Sequence, residues 1–396
     1  MMAITSITFG AASVAGPLLG GGLVDALSWR WCFWYGRGVP PENMSVADQH
    51  RINLPIGAVA AGIILAFFAQ PPLATVLEGT IRQKVARLDI NGGVLCAGAL
   101  SCFVLAMHWV GPLSMSSPKV IGSLVGFFAL AALYCVNEYY MGSNALIQAH
   151  LLRNTAIARN SIFAFFLAGI FAPLLFILPV QFQTVGDESA GASGVRLIPF
   201  VLGINVFTLA SNGLLTVWRH YVPLFFIGAI LSTAGASLMY TFDEHSPGAA
   251  WIGSEILSSA GIGISLQIPL LANHAAVGVE DIPAVTSIAL FLEGVGSTIF
   301  VAASEGALTK GLVEGVKNYL PNVNPSVVVE TGATELRSAF ASSELAAVLA
   351  AYLKGCKDSH LVPVACGSLA VLVSVSSGLP PAVVAIRSRL SKTHQR

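Results

Sequence analysis

Gly10-Ala11-Ala12-Ser13-Val14-Ala15-Gly16-Pro17-Leu18-Leu19-Gly20-Gly21 lies within the chain's first apolar run. Ser28-Trp29-Arg30-Trp31-Cys32-Phe33-Trp34 follows it, and then, after an interruption, Ile52-Asn53-Leu54-Pro55-Ile56-Gly57. The run containing the first segment, 3–24, has no charged residue and is long enough to cross a bilayer, which takes about 20 mostly apolar residues. Pro17 removes one helical hydrogen bond and kinks the helix. The glycines around it let a neighbouring backbone come close, which is how helices associate inside lipid. Taken alone, the Gly16-Pro17-x-x-Gly20-Gly21 core also fits ordinary small-residue packing.

The rest of the chain repeats this character. Of 396 residues, 55% are apolar and only 10% charged, against about 25% charged in soluble domains. So few charges cannot cover a soluble surface, which argues against a soluble enzyme and equally against a disordered chain. The formal net charge is zero, with 20 basic and 20 acidic residues, so no basic footprint points to nucleic acid. The six cysteines form no CxxC and no paired Cys/His spacing, so neither a zinc site nor a disulfide framework is expected. Apolar runs at about 3–24, 52–69, 90–110, 119–137, 161–181, 194–215, 222–241, 249–271, 283–303 and 361–384 predict about ten spanning helices. They are too long, and alternate too little, for strands. Lys and Arg in the short loops favour a cytoplasmic placement of 70–88 and of the tail after Arg387. The acidic loops Asp187–Glu188 and Asp243–Glu244 then lie outside, with a long outer loop over 304–360. A helix over about 334–354, carrying Leu336, Phe340, Leu345, Val348, Leu349 and Tyr352, is expected on the outer surface of the bundle or at the membrane interface.

The segments quoted at the outset strongly resemble the antiporter motif and the WRWCFWINLPIG segment of the fourteen-helix drug:proton antiporters, a branch of the major facilitator superfamily, in their fungal form. The likeness continues in order along the chain. Leu88-Asp89-Ile90-Asn91-Gly92 resembles the start of the seventh helix, and Leu178-Pro179-Val180-Gln181-Phe182-Gln183 the end of the ninth. Ser193-Gly194-Val195-Arg196-Leu197-Ile198-Pro199 resembles the start of the tenth, and Trp251-Ile252-Gly253 with Gly261-Ile262-Gly263 the twelfth. Gly332-Ala333-Thr334-Glu335-Leu336-Arg337 resembles the last outer loop.

The resemblance implies an all-α integral membrane bundle equivalent to helices five to fourteen of fourteen, with helices one to four lacking. Its expected parts are a remnant of the N-terminal bundle (1–69), a cytoplasmic loop with a two-helix linker (70–150), and a six-helix C-terminal bundle with a basic cytoplasmic tail (151–396). Residues 35–51 interrupt a segment that is continuous in the family. They read as a retained intron or as a genuine outer loop, and they carry the one acceptable glycosylation sequon, Asn43-Met44-Ser45.

A charge at the bilayer centre costs about 2.5–3.5 kcal/mol on insertion scales, so ionisable residues there need a reason. Glu293 stands near the middle of the 283–303 run, and Glu255 about two turns into 249–271. Both occupy positions where the family leads one to expect glutamine. With the mid-helix Asn205 they form the candidate proton and substrate pathway; the structural alternative for each is a hydrogen bond at a helix contact. Glu138 is expected to reach the interface, and His108 to pair with Trp109 there. Gln267 could face the cavity or join helices. Gly16, Pro17, Gly20 and Gly21 carry the antiporter motif, whose implied role is to seal the contact between bundles against proton leak.

No catalytic triad, phosphate loop or metal cluster is visible, so a membrane enzyme is a distant reading and no cofactor is expected. The expected function is proton-coupled efflux, at the plasma membrane, of small hydrophobic or amphipathic compounds such as drugs, toxins or secondary metabolites. The expected partners are substrate, protons and the lipid bilayer, with no nucleic acid and no obligate protein partner. The alternatives are a truncated membrane protein that moves nothing and a siderophore exporter of the same superfamily.

Overall fold

A computed structural model describes residues 2–26, 53–67, 88–113, 115–218, 221–243, 246–331 and 336–377. The Ser28–Trp34 segment, the 35–51 interruption, most of the 70–88 loop and the basic tail lie outside the described residues. The chain is all helix in its regular structure: α1 (Met2–Ala26), α2 (Asn53–Phe67), α3 (Ile90–Val110), α4 (Pro118–Met141), α5 (Thr155–Thr184), α6 (Ala190–Arg196), α7 (Ile198–Trp218), α8 (Val222–Tyr240), α9 (Gly248–Ser265), α10 (Ile268–Ala276), α11 (Ile282–Tyr319) and α12 (Ser342–Ser377). In lipid every backbone polar group must be satisfied within the protein, and a helix does so within one segment. Prolines sit in the first turns of α4, α8, α10 and α11, where a missing N–H costs nothing.

Eight helical stretches among the described residues are long and apolar enough to cross a membrane. The 25-residue α1 and the 15-residue α2 occupy the expected runs 3–24 and 52–69 but are not among those eight. The protein is thus a multi-pass α-helical membrane bundle.

Helix α5 is the hub of the C-terminal bundle and packs on both α11 and α12; α8 joins α9 to α12, and α9 packs on α7. Its core runs through Phe163, Leu174, Phe200, Phe225, Met239 and Ile262. Because lipid tails are as apolar as leucine, close backbone approach matters more here than apolar burial. At the α8–α9 contact, a Cβ on Gly261 would lie 2.1 Å from Ser232 N, and one on Gly235 would lie 2.4 Å from Ser258 N. Polar side chains add cross-helix ties, as where Asn160 donates to Asn273 at 2.9 Å and Ser211 to the Ile264 carbonyl at 2.7 Å. The α3–α4 hairpin docks on this bundle through α3 and α11.

The stretch 304–360, expected as a long loop, is mostly helix. Helix α11 runs 38 residues and α12 36, about 57 and 54 Å at 1.5 Å per residue, well beyond the hydrocarbon thickness of about 30 Å. Glycines keep the two together past the bundle: a Cβ on Gly315 would lie 2.8 Å from Ala351 Cα, and one on Gly355 2.6 Å from the Leu308 carbonyl oxygen. The expected 334–354 helix is therefore largely the first part of α12. With Pro325–Glu330 it forms a protrusion that has its own core of Leu312, Val316, Val328, Leu336, Val348 and Tyr352. The Tyr352 hydroxyl donates to the Val328 carbonyl. Lys354 bridges Glu314 and Asp358, placing charge where the helices leave the bundle. His108, expected beside Trp109, contacts Glu305 of α11 at 3.4 Å.

Candidate functional site: a glycine–proline seam and two intramembrane carboxyls

Helix α1 lies against α6 and the start of α7, and its sequence explains how. A Cβ on Gly21 would lie 2.7 Å from both the Ala190 carbonyl oxygen and Gly191 Cα. One on Gly194 would lie 2.8 Å from the Pro17 carbonyl, and one on Gly10 3.0 Å from the Asn205 side chain. Glycine is required on both sides, so the two backbones touch. Pro17 and Gly21 therefore stand in the seam. Gly16 and Gly20 face elsewhere, since a Cβ on either would meet nothing within 4 Å.

Asn205 is buried at this contact, and its amide donates to its own helix at the Val201 carbonyl, 2.8 Å away. It sits at a helix–helix junction. Gln267 likewise joins helices, accepting from Asn212 at 2.8 Å where α9 breaks into α10.

Glu255 has no exposed surface, and neither carboxyl oxygen has a hydrogen-bond partner among the described residues. It lies on α9 one turn below Trp251, whose ring packs on Phe182 of α5 with centroids 5.3 Å apart. The Arg196 guanidinium at the end of α6 lies 5.4 Å from the Trp251 ring and 5.8 Å from Phe182 and pairs with Glu188. An aromatic–guanidinium cluster thus sits one helical turn from the carboxyl. Such stacking of Arg on aromatic faces is favourable in itself.

Glu293 is half-buried on α11. It shares a helix face with Ala289, Gly296 and Phe300, and this face meets α5 at Phe165. The structure does not bring Glu255 and Glu293 into one cluster: they lie on α9 and α11, with α5 next to α11. Glu138, expected at the interface, accepts from the Ile147 N–H at 2.7 Å near the end of the α3–α4 hairpin.

Four features escaped the sequence reading. Asp25 accepts from Ser189 Oγ at 2.7 Å and from the Gly191 N–H at 2.8 Å. Asp89 caps α3 by accepting from the Gly92 N–H at 2.8 Å, and it also takes the Asn137 amide at 2.8 Å. His360 is buried beside Gln181, 2.9 Å from its side-chain oxygen, and its Nδ1 has no partner among the described residues. Arg337 pairs with Asp187 and so ties the protrusion to the α5–α6 turn. Only Asp89 had a local signal, an Asp three residues before a glycine at a helix start. Among the described residues no group of three His, Cys, Asp or Glu could hold a metal ion.

No family model matches the chain. Individual relatives do. It is 33% identical over 368 residues to the MFS-type transporter grgE of a Penicillium species, which covers 93% of this chain and 62% of that protein. It is 32% identical to the MFS-type efflux pump MFS1 of Trichophyton rubrum, covering 93% and 66%. It is 30% identical to the dehydrocurvularin exporter of Aspergillus terreus, covering 93% and 62%. The chain is thus homologous to the MFS-type transporters and efflux pumps of fungi, which are transporters and not enzymes, and it spans a little under two thirds of their length.

Proposed function

On the premise of that homology, we propose that the chain works in proton-coupled efflux of small hydrophobic or amphipathic compounds across the plasma membrane, within the fourteen-helix drug:proton antiporter branch. Transporters of this superfamily alternate by moving one bundle against another around a site near the midplane. The observation that carries the reading is the α1 seam. Glycines at 10, 21, 191 and 194 press one helix of the N-terminal side onto the six-helix bundle at backbone distance. A contact built this way can open and reseal as a rigid body, because no long side chains interlock across it. One relative is named an exporter, so the direction taken here is outward. By the positive-inside rule the 184–190 and 240–248 turns and the α11–α12 protrusion face outside.

Glu255 and Glu293 are the candidate proton or cation carriers. A carboxyl held in apolar surroundings is costly when charged and can take up and release a proton, which is what a coupling group does. Expression in a yeast lacking its own efflux pumps, with export of a cationic and a neutral amphipathic dye followed from pH 5 to 8, tests the reading. Export of both dyes, lost for the cationic dye or shifted in pH for Glu293→Gln or Glu255→Gln, is expected. Unaltered export in both glutamine forms removes these residues from the pathway. Failure of the unaltered chain to move either dye leaves a membrane protein that does not transport.

A further inference from the structure

Asp25 is an exposed carboxylate in the last described turn of α1. Its partners come from another element. One oxygen, Oδ2, accepts from both Ser189 Oγ and the Gly191 N–H, and Gly191 is glycine where a Cβ would strike that oxygen at 2.5 Å. The segment so gripped makes three more attachments within a few residues. Asp187, at a left-handed φ of 56°, pairs with Arg337 of the protrusion. Glu188 pairs with Arg196. Arg196 lies over Phe182 and Trp251, one turn above the fully buried Glu255. One short segment thus joins α1, the protrusion and the Arg196–Phe182–Trp251 cluster, which lies one helical turn from Glu255.

We propose that Asp25 is a positioning residue that latches segment 187–196 closed over the approach to Glu255, so that releasing this bond is part of opening the outer side. The inference rests on the transport reading above. Asp25 and Ser189 are both exposed, so water can take their places when the seam parts, and the bond is reversible. The glycine seam supplies the contact surface. Asp25 supplies the directional, charge-assisted hold that shifts the balance between closed and open. The seam makes α1 and α6 part as bodies, and parting carries Arg196 away from Trp251.

The test is thiol accessibility in the purified full chain in detergent, resolved by peptide mass spectrometry. Ser254→Cys, next to Glu255 and itself buried, reports the covered site; Ser161→Cys, buried at the other end of the bundle, reports general loosening. Asp25→Ala is expected to raise labelling at 254 by about tenfold and leave 161 unchanged. Asp25→Asn, which keeps an acceptor oxygen but loses the charge, should fall between the unaltered chain and Asp25→Ala. Equal rates at 254 with and without Asp25, or an equal rise at both probes, overturns the latch. Should Asp25→Ala not accumulate, the pair Asp25→Cys with Ser189→Cys decides: oxidation should slow labelling at 254 and reduction restore it, and no difference overturns the proposal. Labelling needs no substrate. A latch that fails leaves the efflux reading standing, and a latch that holds in a chain exporting nothing refutes only the efflux reading.

Discussion

Helices α4 and α5 are both spans by length and composition, yet they live in different surroundings. Sixteen residues of α5 are buried by neighbouring helices, whereas in α4 only Val120 is. One serves as the hub of a bundle, and the other faces outward from a two-helix hairpin. In a soluble protein an apolar face marks the core. Here lipid accepts the same side chains, so apolarity places a helix in the membrane without saying what it touches. The small and polar residues distinguish the two. Helix α5 carries the buried Asn160, Ser161, Gly169, Gln181 and Thr184, while both glycines of α4 within its span, Gly122 and Gly126, meet open space or a single cysteine side chain.

Substitutions can break or sharpen this contrast. The largest effect is expected at Gly261→Leu, in the bundle, where the added side chain would drive into the α8 backbone. Overpacking of this kind costs about 1–3 kcal/mol or more. The variant should lose most of its membrane accumulation, measured by fluorescence size exclusion, and an unchanged monodisperse peak would contradict the packing described. Next comes Asn273→Ala. It strands the Asn160 amide at the bundle's other end, and the cost should be about 0.6–2 kcal/mol, the range for hydrogen bonds between membrane helices. A melting curve in detergent reads it.

A smaller effect is expected in the hairpin at Asp89→Ala, about 1 kcal/mol for a lost helix cap. Burial pushes the Asp89 carboxyl up, but the Asn137 amide and the Gly92 N–H outweigh it, so its folded-state value lies below the ordinary carboxylate range. A depressed value means the carboxylate's contribution is whole above the unfolded pKa and is lost as pH falls through the folded one. The hairpin of the unaltered chain should therefore loosen on acidification below about pH 4, seen as a change in tryptophan emission from Trp109, while the alanine form shows no such acid step of its own. Smallest of all, Gly122→Leu on α4 should leave melting within about 0.5 kcal/mol of the unaltered chain, because nothing stands where the side chain would go. A clear loss there would mean that α4 has a partner helix.

The sequence announced the helices better than their ends or their neighbours. Among the described residues each of the ten apolar runs is helical, since lipid leaves the backbone little else. The ends of α11 and α12 were hidden, because both continue past the bundle on charged and small residues, with Gly311, Gly315 and Gly355 holding the pair together in place of a long apolar stripe. Pro17 and Gly21 were legible as contact residues, and their partners Gly191 and Gly194 were not: a glycine in a helix says that something approaches, never what. Likewise Glu255 and Glu293 looked alike as isolated carboxyls in apolar runs. Only three-dimensional packing separates the sealed one from the half-buried one. Asp25 and His360 stood in stretches whose polar residues gave no periodic signal, and their roles depend on residues more than a hundred positions away.

The protrusion makes the two longest helices into lever arms. About 25 Å of rigid, paired helix stands beyond the hydrocarbon slab, with its own small core to keep it stiff. A tilt of about 5° in either embedded segment swings the tip by about 2 Å, by the same helix geometry. A spectroscopic tag or a binding protein placed on that tip would follow the motions of the buried helices from a distance, without touching the packed bundle itself.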